Sequence, residues 1–167
     1  GNCDKKDNFY FYENTFKEGA MEKAMKKVRI GSGSAFWGDM LDPAVELAKK
    51  GEVSYIGFDH LAELTLAIMQ RMRAKDPSKG YIQDIIPWMK ALLPISSKNN
   101  VKLITNAGGA NPEGAAGKVT EIAQELGLKG MKMGIVTGDD IFPRLDEIRA
   151  KGWKFKNLDT GEEDIDR

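Results

Sequence analysis

The sequence predicts an α/β fold: an open, mainly parallel sheet with helices on both faces, of the Rossmann-like or flavodoxin-like kind. Three observations predict it. Short apolar runs recur along the chain, and each ends in Gly, Ser, Asn or Asp. Between them lie longer segments with helix start and stop signals in the right order, Asp-Pro or Asn-Pro in front and Gly behind. Helices of that length between short strands are crossover connections, and crossovers join parallel strands.

"VRIGSGS" (28–34) is the first strand, closed by a glycine-rich turn. "DPAVELAKKG" (42–51) is a helix with Asp42 as N-cap, Pro43 at the first helical position and Gly51 as the stop. "VSYIGFD" (53–59) is the second strand. "LAELTLAIMQRMRAK" (61–75) is a helix whose Leu61, Leu64, Ile68 and Met72 share one face. After the loop "DPSKGY", residues 81–100 are helical around Pro87, and Pro94 is expected to hasten the end of that helix.

"VKLITNA" (101–107) is the third strand. "NPEGAAGKVTEIAQELG" (111–127) is a helix with Asn111 as N-cap, Pro112 next and Gly127 at its C-terminus. "MKMGIVTG" (131–138) is a fourth strand and "FPRLDEIRAKG" (142–152) a last helix. Met69, Met72, Met89, Met131 and Met133 are expected in the core.

Composition narrows the classes of function. The 167 residues suffice for one domain with a core and are short for two. Lysine plus arginine equals aspartate plus glutamate, 25 against 25, so there is no electrostatic case for nucleic acid or an anionic membrane as partner. Cys3 is the sole cysteine, which excludes an internal disulfide and any multi-cysteine zinc site and points to a reducing compartment. No apolar run approaches the roughly 20 residues that span a bilayer, and the amino terminus lacks the apolar core of a secretory signal. A cytoplasmic protein is expected. Residues 1–25 stand apart as an N-terminal extension, mixing Phe9, Tyr10, Phe11, Tyr12 and Phe16 with charges at no clear period, and Met21 and Met25 offer natural starts. Residues 26–167 form the α/β domain, and "GEEDIDR" closes it as a solvated acidic tail.

In an open parallel sheet, ligands bind beyond the carboxyl ends of the strands. Those ends carry Gly31, Ser32, Gly33, Ser34, Trp37 and Asp39 after the first strand, and Asp59, His60 and Glu63 after the second. Asn106, Gly108, Gly109 and Asn111 follow the third; Thr137, Asp139 and Asp140 follow the fourth. Turns use such residues for backbone reasons alone. Caps, however, do not require two adjacent aspartates or an asparagine ending a strand.

Asp59, Glu63 and Asp139 are the candidate acid–base groups. Gly31, Ser32, Gly33, Trp37, Asp39, Asn106, Gly108, Gly109, Asn111 and Asp140 are the candidate substrate-binding residues. The backbone N–H groups of Gly31, Gly33, Gly108 and Gly109 would hold an anion or a thioester oxygen, and Asn106 would orient the substrate. No metal is assigned, although Asp59, Glu63 and Asp139 form a donor set that suits magnesium. The sequence identifies no cofactor. His60, the only histidine, reads as structural or surface rather than as a base, and no serine stands in a nucleophile-elbow motif. "GSGSAFWG" departs from the dinucleotide fingerprint, because Ala35 and Phe36 stand where the third glycine belongs.

Four ordered segments, "RIGSGSAFWGD", "YIGFDHLAELTLAIMQRMRAKDPSKGY", "LITNAGGANPEGAA" and "TGDDIFPRLDEI", together resemble the amino-terminal part of the acyclic terpene utilization protein AtuA family. The resemblance covers about residues 26–167. It implies a catabolic role in the breakdown of acyclic terpenes and related branched acids through coenzyme A thioesters. Members of that family are usually longer, and "LDTGEEDIDR" resembles the segment just before their continuation, which implies a truncated or shortened member.

Three functions follow. The first is an enzyme or enzyme subunit acting on a carboxylate or acyl-CoA substrate by hydratase- or lyase-like chemistry. The second is a non-catalytic module that binds a phosphate-bearing ligand, docks on a companion subunit or forms a homo-oligomer. The third is a nucleotide-binding domain.

Overall fold

A computed structural model describes residues 27–162. The expectations for the extension before residue 27, including Cys3 and its aromatic cluster, and for residues 163–167 of the acidic tail, lie outside the described residues. Three strands form one parallel sheet: β1 (Ile30–Ser34), β2 (Tyr55–Phe58) and β3 (Lys102–Thr105), in the order β1-β2-β3. Helices α1 (Leu41–Lys50), α2 (Glu63–Lys75), α3 (Ile85–Asn99) and α4 (Pro112–Glu125) follow the strands, and a 3₁₀ turn (Phe142–Arg144) runs into the short α5 (Leu145–Ala150). The mixed α/β class and the parallel sheet are as the sequence predicts.

Strand alternation decides where the core sits. Ile56 and Phe58 point to one face of β2 and are buried against Ala44 and Ala48 of α1 and Trp88 and Leu92 of α3. Gly31 lies in β1 because α1 presses on it; a Cβ there would come within 2.5 Å of Leu47. At Gly33 a Cβ would overlap the Phe58 ring and Ile56. Gly33 is also the extra residue of a bulge, since the pairing steps from Ser32↔Gly57 to Ser34↔Phe58. A second cluster fills the space between α2, α3 and α4, with Met69, Ile82, Met89 and Val119 buried beside Ala107 and Ala110 of the turn after β3.

Several expectations are corrected. The helices expected on the second face of the sheet are not there among the described residues. That face carries Ile30 and Ile104, 72% and 60% exposed, among Ser32, Gly57 and Lys102. The fourth strand is absent as well. Residues 131–138 are exposed and belong to no strand or helix. Gly130, Gly134 and Gly138 punctuate the segment, two of them at positive φ, and glycine inside a strand weakens it. Met131 and Met133 are therefore exposed rather than core.

Helix details differ too. α1 begins at Leu41 with Met40 as N-cap, so Asp42 sits in the first turn, where its charge meets the helix dipole instead of capping. α2 buries Met69 while Leu64 and Ile68 are exposed, so its inward face is rotated from the expected one. α3 continues past Pro94 to Asn99 and ends on Asn100 in the left-handed conformation. Pro94 lies on the exposed side of α3, where a missing backbone bond costs least. α4 is as expected: Asn111 caps it, Pro112 opens it and Gly127, at φ 67°, follows its end.

Candidate functional site

The carboxyl ends of the three strands meet in one hydrogen-bonded cluster. Asn106, which follows β3, joins them. Its Oδ1 accepts from the backbone N–H of His60 at 2.8 Å, and its Nδ2 donates to Asp59 Oδ1 at 2.8 Å. The Asp59 N–H donates to the Ser34 carbonyl at 3.3 Å, tying the end of β2 to that of β1. Asp59 Oδ2 has no partner among the described residues. One carboxylate oxygen is thus held in place while the other is left exposed.

Beneath this layer lies His60, only 6% exposed. Its ring stacks on Phe58 at 6.2 Å between centroids and meets Trp88 edge-on at 5.2 Å. Nε2 lies 3.5 Å from Ser34 Oγ, and the buried Nδ1 has no hydrogen-bond partner in the structure. The bulge at Gly33 makes this pairing possible, because it sets Ser34 opposite Phe58. Burial pushes the imidazole pKa below its ordinary value, against the opposing pull of the Phe36 backbone and the charges of Asp84, Asp59 and Asp39.

This has a consequence for stability. The unfolded chain binds a proton at its histidine near pH 6.5, and the folded chain resists doing so. Stability is therefore fully present above pH 6.5 and is lost as pH falls below it toward the depressed folded value. His60 is the only histidine, and the carboxylates whose pKa values are lowered have unfolded values of 3.8 to 4.5, so they contribute mainly below about pH 5. Urea unfolding at pH 7.5 and at pH 5 should give a lower midpoint at pH 5. The variant His60→Phe, which keeps the aromatic contacts, should lack that slope; an unchanged slope would show that another group carries it.

The remaining predicted residues are distributed as follows. Asp39 closes the loop after β1: its Oδ2 accepts from the Ala35 N–H at 2.9 Å and its Oδ1 from the Met40 N–H at 2.8 Å. Those two bonds hold its carboxyl below the usual range. Trp37 packs on the core cluster between α2, α3 and α4. Ser32 is exposed on the outer face of the sheet, and Gly31 and Gly33 serve packing inside β1. Glu63 is the first residue of α2 and is exposed; the helix start is organised by Thr65, whose Oγ1 accepts from the Ala62 N–H at 2.6 Å.

The turn after β3 is fixed by packing. Gly109 has φ 53°, its N–H donates to the Asn106 carbonyl at 3.0 Å, and a Cβ there would press on the Gly80 carbonyl and Met69. Its N–H is thus already engaged and does not face an anion. Gly108 is packed against Pro112. Asn111 caps α4 with Oδ1 and donates through Nδ2 to the carbonyls of Pro77 and Lys79 at 3.1 and 2.9 Å.

The same turn forms one wall of a cavity of about 530 Å³. The other walls come from α2 and from residues 137–145, including Asp139 and Asp140. Asp140 Oδ1 accepts from the Phe142 N–H at 3.1 Å, and its Oδ2 lies 3.9 Å from Arg73 Nη1. Asp59, Glu63 and Asp139 do not come together as a cation site: no group of three or more His, Cys, Asp or Glu is placed to hold a metal among the described residues.

The sequence reading left Ser34 and His60 out of the site. The one available signal was position, since both stand at strand ends beside predicted site residues. No helix among the described residues is long and apolar enough to cross a membrane. Searches of curated proteins and of solved structures return no match. Residues 28–167 match the model described as "Acyclic terpene utilisation family protein AtuA". With that match spanning most of its length, the chain belongs to the acyclic terpene utilisation AtuA family.

Proposed function

We propose that this chain is an enzyme or enzyme subunit of acyclic terpene breakdown that acts on a branched acyl-CoA thioester, adding water across a conjugated double bond or removing it. The observation that carries this reading is Asp59, held through Oδ1 by Asn106 with Oδ2 open at the carboxyl edge of the sheet. A positioned carboxylate of this kind suits proton transfer. Asp59 takes a proton from water as the water oxygen bonds to the β-carbon, the double-bond electrons pass to the α-carbon, and the proton returns there. Family membership supports the catabolic setting.

Charge favours the thioester over a free carboxylate. Asp39, Asp59 and Glu63 follow the strands, and Glu113, Asp139 and Asp140 line the cavity, where Arg73 is the one cationic side chain among the described residues. So many acids repel a free anion at the reacting end but tolerate a neutral thioester. The test is direct. A 3,7-dimethyloct-2-enoyl thioester of N-acetylcysteamine should lose its conjugated absorbance in the presence of the chain. No loss of absorbance, with no deuterium entering the α-carbon in heavy water, would overturn the reading.

One observation favours a companion-subunit reading beside it. Ile30 and Ile104 are exposed on a parallel sheet, a type normally covered on both faces. A partner or second copy on that face predicts a species larger than 18.5 kDa in sedimentation.

A further inference from the structure

The cavity between α2, the turn after β3 and residues 137–145 is not accounted for by the proton-transfer group. Its volume, about 530 Å³, lies within the roughly 300–1,000 Å³ range of small-ligand pockets. Leu66, Ile141, Phe142, Leu145 and Phe155 supply apolar walls. Ile141 and Phe142 are large apolar side chains left exposed there. The polar lining does not suit an anion. Glu113, Asp139 and Asp140 outnumber Arg73, and Arg73 is already committed to the Ala110 carbonyl at 2.5 Å and to Asp140. What fits is a neutral apolar group.

One turn separates the cavity from the candidate site. Gly109 lines it, and the Gly109 N–H is bonded to the carbonyl of Asn106, the residue that holds Asp59. A substrate whose reacting end lies at Asp59 reaches the cavity only by crossing this turn, over Gly109. We propose that the cavity binds the methyl-branched hydrocarbon chain of the thioester, and that Leu66 and Phe142 set the chain length and branching accepted. The proposal rests on the thioester reading given above, and it adds the subsite that selects the acyl group.

The test uses saturated thioesters, which bind without turnover. The full chain is titrated with the N-acetylcysteamine thioesters of 3,7-dimethyloctanoic acid and of butanoic acid, followed by amide chemical shifts. The longer chain buries several more methyl and methylene groups, so it should bind at least about ten-fold more tightly. The shifts should centre on Leu66, Gly109 and Phe142. Leu66→Trp should fill the cavity and remove that preference, so that the two thioesters bind with affinities within about two-fold of each other. Phe142→Ala, at an exposed position, serves where Leu66→Trp fails to fold, and it should relax the preference by opening the wall.

Equal affinity for the two thioesters in the wild-type chain would overturn the proposal. So would a preference unchanged in both variants, or shifts centred on the groove along β3 and residues 131–136. Failure of the hydration assay with the chain-length preference intact would sink the hydratase reading and leave the hydrocarbon subsite standing. Hydration with no chain-length preference would do the reverse.

Discussion

Asp59→Asn is expected to lower turnover of the branched enoyl thioester by about 10²- to 10⁴-fold, the usual contribution of a positioned general base. The substitution is nearly isosteric. Its amide oxygen can still accept from Asn106 Nδ2, so the cluster that ties β2 to β3 is retained. What it loses is a group that can take up a proton. The folded protein should therefore survive: the melting temperature should stay within a few degrees of wild type, because Asp59 is exposed and surface changes usually cost little. Loss of turnover with an intact melting transition assigns proton transfer to Asp59. Full turnover would remove it from the chemistry and move attention to Asp139, which lines the cavity on the far side of the turn. Asn106→Ala provides the contrast. It frees Asp59 Oδ1 and the His60 N–H together, so it should lower both activity and stability.

How much of this was legible in the sequence depends on whether the signal is local. β1, β2 and β3 could be read because short apolar runs end in small residues, and α4 because Asn111, Pro112 and Gly127 carry its boundaries in adjacent positions. Features that depend on distant segments were not legible. Residues 131–138 have strand-like composition, but pairing requires a partner edge, and glycines at both ends of the segment favour other conformations. In α2, Leu61, Leu64, Ile68 and Met72 mark a helical stripe, yet burial is decided by where the turn after β3 sits, and that turn packs on Met69.

The candidate site divides along the same line. Asp59 and Asn106 could be found as polar residues ending strands, and the structure joins them. The Ser34–His60 contact depends on the bulge at Gly33, a one-residue shift that no local pattern announces. In an unbroken register, residue 33 would face Phe58 and Ser34 would fall one place further along. Aromatic side chains at Phe58 and Trp88 then complete the burial of His60 from two different elements.

Asn111→Ala should be the most destabilising of the polar substitutions, by about 2–4 kcal/mol. The small-residue turn between Asn106 and Pro112 could be read either as a ligand loop or as a chain reversal, and Asn111 decides how much of it is structural. The side chain is buried, with every polar atom engaged: Oδ1 caps α4 at the Gly114 N–H, and Nδ2 bonds the carbonyls of Pro77 and Lys79. Loss of the cap costs about 1 kcal/mol. The two lost hydrogen bonds to the Pro77 and Lys79 carbonyls add about 0.5–1.5 kcal/mol each. For a chain of this length the loss corresponds to a melting temperature lower by roughly 4–16 °C. Asn111→Asp separates the two parts, because it keeps the capping oxygen but turns a carboxylate toward both carbonyls. It should remain close to Asn111→Ala, since anchoring the loop at Pro77–Lys79 is the larger share. Recovery of wild-type stability in Asn111→Asp would show that capping alone matters. A loss below about 1 kcal/mol in Asn111→Ala, measured by urea unfolding, would overturn the structural role of Asn111 and return it to the candidate ligand-binding residues.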